Sequence, residues 1–177
     1  MKSLSLPFAL LSVLLSVSCA SLEARRYVEK NTFYSTFPKM VVEVSRDFSY
    51  LGKEVSELKT EEIHSSVTDR TSVVKYFWEG PTGTLVISFA RAQHPWVYPG
   101  YQWKNISNIK DAGRCKLGKY HYAYCVYKNE RVRFTKIFMR NTANDRIRIN
   151  IYFVSKFYGG LLSEFEKDCE SAFTVIH

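Results

Sequence analysis

The stretch 145–157, DRIRINIYFVSKF, alternates more regularly than any other part of the chain. Ile147, Ile149, Ile151 and Phe153 fall on one side of an extended backbone, and Arg146, Arg148, Asn150 and Tyr152 on the other. Successive side chains of a strand point to opposite faces, so the pattern predicts a strand with one apolar face. Segment 131–141, RVRFTKIFMRN, predicts its neighbour: Val132, Phe134 and Phe138 share a side, and Arg131, Arg133 and Thr135 take the other. Segment 118–127, GKYHYAYCVY, adds a third strand, with KNE and NTAND as turn-forming connectors. Earlier, the runs 71–80 and 84–92 flank a Gly80-Pro81-Thr82-Gly83 turn, which reads as a hairpin. Segment 40–51 alternates in part, with Val42, Val44, Arg46 and Phe48 on one side. Segment 50–64 fits a helix or a long polar strand equally, and 104–113 suggests a short helix ended by Gly113.

The period changes near the end. Leu161, Phe165, Cys169, Ala172, Phe173 and Ile176 recur at spacings of three and four, while Glu164, Glu166, Lys167, Asp168 and Glu170 mostly fill the opposite face. This predicts an amphipathic helix of about four turns, set off from the preceding strand by Gly159-Gly160. The expectation is an α+β fold over a single domain, 32–177. It has an antiparallel β-sheet of about six or seven strands, a C-terminal helix packed on one face, and the other face wet.

The first residues follow a different plan. Lys2 is followed by an apolar run, 4–17, interrupted by Pro7 and serines, and then by Ser18, Cys19 and Ala20. A spanning helix needs roughly 20 apolar residues, so this shorter run reads as a signal peptide, 1–18. The stretch Leu15-Ser16-Val17-Ser18-Cys19 resembles the lipobox of bacterial lipoproteins, a cysteine placed directly after a short apolar run and a small residue. The resemblance implies that the Cys19 thiol receives diacylglycerol and that cleavage makes Cys19 the new N-terminus. It implies membrane lipid as a partner, held through an N-terminal acyl anchor. Ala20 after the cysteine implies the outer membrane, facing the periplasm. Two or more acyl chains anchor stably where one does not. Plain secretion, with cleavage after Ala20, is the alternative. Polar residues 20–31 then read as a tether, so that 19–31 is the lipidated N-terminus and its linker.

Composition supports an ordered domain: 46% of residues are hydrophobic and 15% aromatic, which leans toward strands. The net charge is +8, and removing 1–18 takes away only Lys2. A basic surface is drawn to acidic lipid, but the basic residues are dispersed and form no dense arm, which argues against nucleic acid. With Cys19 consumed, Cys115, Cys125 and Cys169 remain, an odd number for an oxidising compartment. A Cys125–Cys169 bond would staple helix to sheet; Cys115–Cys125 and Cys115–Cys169 stay open.

Two clusters are candidates for binding. The segment 93–105, QHPWVYPGYQWKN, carries Trp96, Tyr98, Tyr101 and Trp103 around two prolines that exclude regular structure. Such aromatics suit a glycan, a lipid surface or an envelope protein, or they cap the core. The outer face of the final hairpin offers Arg131, Arg133, Arg140, Arg146 and Arg148, suited to anionic lipid or polysaccharide. The histidines His64, His94, His121 and His177 stand in no recognisable catalytic spacing. No nucleotide-, metal- or cofactor-binding motif is present, so no catalytic residue, metal ligand or cofactor is assigned. The function expected is a non-catalytic binding or assembly module; the rivals are an envelope hydrolase and a soluble secreted effector or adhesin.

Overall fold

The structure, a computed structural model, describes residues 26–61, 68–95, 103, 106–128, 133–142, 144 and 146–177. Eleven strands and one helix follow in order: β1 (Arg26–Glu29), β2 (Thr32–Thr36), β3 (Lys39–Val44), β4 (Ser49–Glu61), β5 (Thr68–Glu79), β6 (Gly83–Arg91), β7 (Ile109–Leu117), β8 (Tyr120–Lys128), β9 (Phe134–Thr142), β10 (Ile147–Ser155), α1 (Leu162–Ala172) and β11 (Phe173–Val175). They form two antiparallel sheets, one of seven strands in the order β4-β5-β6-β10-β9-β8-β7, the other of four in the order β1-β2-β3-β11. The domain is therefore mainly β, with a single C-terminal helix.

The clearest alternation marks the centre of the large sheet. Ile147, Ile149, Ile151 and Phe153 are all buried, and β10 lies between β6 and β9. The hairpin around residues 80–82 forms as expected, in the register Glu79↔Thr84. On this inner face the small sheet covers one half and the helix the other. Phe33 of β2 packs on Tyr76, Trp78 and Phe89, with ring centroids 4.8, 6.4 and 5.6 Å away. Phe165 of α1 packs on Phe134 and Phe153 at 5.2 and 5.6 Å.

Several expectations are corrected. The tether expected over 19–31 is described from Arg26, and there it is β1 and its turn, paired to β2 from Arg26↔Ser35 to Glu29↔Thr32. The run 40–51 is not one strand: it breaks at Arg46-Asp47, and Phe48 turns inward between β3 and β4. The ambiguous segment 50–64 is strand as far as Glu61. Of the helix expected over 104–113, residues 109–113 are instead the start of β7, because Gly113 lies in the ladder opposite Tyr124 and ends nothing. The C-terminal helix stops at Ala172. Phe173 is already extended, and Phe173–Val175 adds to β3 through Phe173↔Val44 and Val175↔Val42. Alternate positions of a strand and the i, i+3, i+4 positions of a helix overlap at Phe173, so the sequence pattern ran through the change. Ile176, expected on the helical apolar face, is exposed.

The turn between β7 and β8 is held close to the C-terminus. Gly118 has φ +57°, and a Cβ there would meet the Val175 carbonyl oxygen at 2.9 Å. Only glycine satisfies both demands.

The outer face of the large sheet is not simply wet. Arg148 is 4% exposed and Asn150 6%, and Val73, Ser88, Ala90, Cys125, Thr135, Ile137 and Met139 are also buried. These residues alternate with the inner-face set, so the large sheet buries side chains on both sides.

Candidate functional site

The predicted arginine patch is divided by the same alternation. Arg140 is even-numbered on β9, like Phe134 and Phe138, and pairs with Ile149 of the inner face. It therefore points inward, away from the outer patch where it was expected. Arg148 is on the outer face as expected but sunk in it, with Nε donating to Asn141 Oδ1 at 3.1 Å. Burial pulls its pKa down to about 10, which Tyr152 partly offsets. Arg133 donates from Nη2 to Tyr158 Oη at 2.7 Å and stacks on that ring at 4.3 Å. Arg146 is exposed at the turn. Arg131, like Trp96, Tyr98, Tyr101 and Cys19, lies outside the described residues. Trp103 is half-buried. The four described arginines do not form one surface.

What the fold does assemble is a basic level inside the sandwich. One row of paired residues crosses the inner face from Val74 to Phe89 to Ile149 to Arg140. The Arg140 guanidinium lies 3.7 Å from the Tyr120 ring centroid and 5.4 Å from that of Tyr122. Tyr122, 1% exposed, sits opposite Cys115 of β7. Burial raises the Tyr122 pKa, and Arg140 pulls it partly back. Two residues along the row, the Arg26 guanidinium of β1 lies 3.9 Å over the Phe89 ring and donates from Nη2 to the Phe37 carbonyl at 2.8 Å. Ser35, paired with Arg26, is buried beside it.

The polar atoms of this level are under-used. Arg140 Nε and Nη2, Tyr122 Oη and Ser35 Oγ are buried without a well-formed hydrogen bond, although the Arg140 guanidinium and the Tyr122 hydroxyl interact weakly with one another. Each unsatisfied buried donor costs about 1–3 kcal/mol. A guanidinium stacked on tyrosine offers its in-plane edge to an acceptor, and the acceptor that matches its fork is a carboxylate or phosphate. The lysine of the β7–β8 turn, Lys119, stands 5.2 Å from the Tyr120 ring and adds positive charge nearby.

The sequence carried a signal for this level that the patch reading missed. Tyr120, Tyr122 and Tyr124 alternate with His121, Ala123 and Cys125, and Arg140 keeps the register of Phe134 and Phe138. Arg26 carried none, because a polar segment of four residues is too short to show a period. His94, His121 and His177 are exposed.

Among the described residues Cys115, Cys125 and Cys169 are free thiols. The staple expected between Cys125 and Cys169 is blocked by geometry. Tyr122 and Val126 belong to the core that contains Cys169, and Cys125, one residue out of step, points to the opposite face.

The chain matches no protein-family model, no curated protein and no solved structure. No described helix is long and apolar enough to cross a membrane.

Proposed function

We propose that this protein is an exported envelope lipoprotein whose β-domain is a non-catalytic binding module for an acidic ligand. The anchor half of the reading rests on residues 1–19: a positive start, a short apolar run and a cysteine behind a small residue. Acyl chains on Cys19 would hold the domain at a membrane, the outer membrane in this reading, and the basic surface would add attraction to acidic lipid.

One observation carries the ligand half: Arg140 lies over the Tyr120 ring and beside Tyr122, and two of its buried nitrogens have no well-formed hydrogen bond. Arg140 is half-buried, and guanidinium nitrogens shut off from water without an acceptor are unfavourable, so an entering carboxylate or phosphate relieves them. The partner is then an acidic group carried by a glycan, a lipid or an envelope protein.

The two halves are tested separately. Cys19→Ala should abolish acyl mass and membrane association in cells of a lipoprotein-processing bacterium; unchanged association would remove the anchor. The purified domain, titrated with inorganic phosphate and with citrate, should show saturable shifts of the arginine Nε and tyrosine ring resonances. Arg140→Gln should weaken that binding at least about tenfold, the worth of one charge-assisted hydrogen bond. An unchanged spectrum in the wild type would remove the acidic ligand.

A further inference from the structure

Cys115 and Cys169 face the same cavity from two elements that share no strand ladder. Cys115 is on β7, directly opposite Tyr122 in the ladder, and so points to the inner face. Cys169 is on the buried stripe of α1 with Phe165 and Ala172. Both line one half-open cavity of about 400 Å³, which Lys136 and Phe138 of β9 and Phe173 and Val175 of β11 also line. The charge environment is shared as well. Burial raises both thiol pKa values, Lys136 lowers them, Glu166 raises them, and Cys169 senses Cys115 itself. Lys136 and Glu166 form an ion pair beside the two sulfurs.

We infer that Cys115 and Cys169 are a redox pair that closes into a disulfide linking helix α1 to edge strand β7. Cys125 is left over as the unpaired third cysteine, buried on the other face of the sheet. The inference draws on the export reading only for the source of oxidant.

The oxidant is a low-molecular-weight disulfide such as oxidised glutathione. Cys115, the half-buried member, reacts first. Its thiolate attacks one glutathione sulfur, forms a mixed disulfide and releases one glutathione thiolate. Cys169 then loses its proton and attacks Cys115 Sγ, releasing the second glutathione thiolate. Two protons and two electrons leave the protein, and one glutathione disulfide becomes two glutathione thiols. The second step is the slow one, because burial pushes the Cys169 thiol up to about 12. The product carries no charge, so the burial that hinders the thiolate does not hinder the disulfide.

The bond closes a loop of about 55 residues and adds a covalent tie to a helix otherwise held by packing, the Lys136–Glu166 ion pair and a backbone hydrogen bond from Ser45 to Ala172, so Tm should rise by about 10 °C. The test uses the purified full-length protein, equilibrated with oxidised glutathione at several pH values, blocked with N-ethylmaleimide and digested without reduction. The expected result is a cross-linked peptide joining Cys115 to Cys169, formed faster as pH rises. It should persist in Cys125→Ser and vanish in Cys115→Ser, whose half-buried position at a sheet edge tolerates the change. A linked peptide containing Cys125, dimers alone, or a stable glutathione adduct on Cys115 with no internal bond would each overturn the pairing. Because the oxidant is added, a chain found in a reducing compartment counts against export and leaves this measurement as it stands.

Discussion

The two faces of the seven-stranded sheet are both buried, but by different chemistry. The inner face presents Trp78, Leu85, Ile87, Ile149, Ile151 and Phe153, covered by aromatic side chains from the small sheet and the helix. The outer face presents Ser88, Thr135, Arg148 and Asn150 among Val73, Ala90, Cys125, Ile137 and Met139. The inner face is stabilised by the area it removes from water. The outer face mixes apolar side chains with buried polar groups that need partners; Arg148 finds one in Asn141, while Asn150 Oδ1 has none. A period of two in a sequence reports which side chains share a face. It does not report whether a mixed face is wet.

The largest expected effect lies on the inner side. Phe153→Ala removes a ring that touches both Phe48 and Phe165, and should cost about 3–5 kcal/mol in urea unfolding. A cost under about 1 kcal/mol would mean that helix and sheet do not share one core. Next comes the outer face. Arg148→Ala leaves Asn141 without its donor and opens a gap, and should cost about 1–3 kcal/mol. An ordinary solvated arginine would cost within about 0.5 kcal/mol, so this substitution decides whether the two faces are alike in being buried.

The third test is one of pH. The Cys169 thiol belongs to the inner side, and its folded pKa is about 12 against an ordinary 9.0. Below pH 9 both folded and unfolded chains keep the proton, and this site adds no slope. Between pH 9 and about 12 the unfolded chain loses a proton that the folded chain keeps, so stability falls as pH rises. Cys169→Ala should make the wild-type slope in that window shallower by up to about 1.4 kcal/mol per pH unit in chemical denaturation. Equal slopes would mean that Cys169 is not shielded from water. The smallest effect is reserved for an exposed pair, Lys75–Glu54, at 3.9 Å. Glu54→Gln should change stability by less than about 0.5 kcal/mol, and a larger change would show that the sheet edge is more tightly held than its exposure implies.

Much of the fold was legible where one period ruled a whole segment. β10 and its partners β6 and β9 read correctly because Ile147 to Phe153 alternate without interruption. Of the small sheet only β3 was legible, through Val42 and Val44, since β1 and β2 have four and five residues, too few for alternation to stand out from chance. β11 was hidden because Phe173 satisfies the helical and the extended period together. The candidate site was legible only in part. Arg140 could have been placed inward from its register with Phe138, whereas Arg26 owes its position to strand pairing that no local pattern encodes.

The strand order β1-β2-β3-β11 joins the first three strands of the domain to its last. A chain emerging from the ribosome cannot complete that sheet until residues 173–175 have been synthesised, because until then β3 is paired on one side only, with β2, and its other edge stays open. Phe138 likewise waits for Phe173, its edge-on partner at 5.8 Å. The architecture thus makes closure of the small sheet depend on a contact between its two most distant stretches of sequence, the slowest kind of pairing to form.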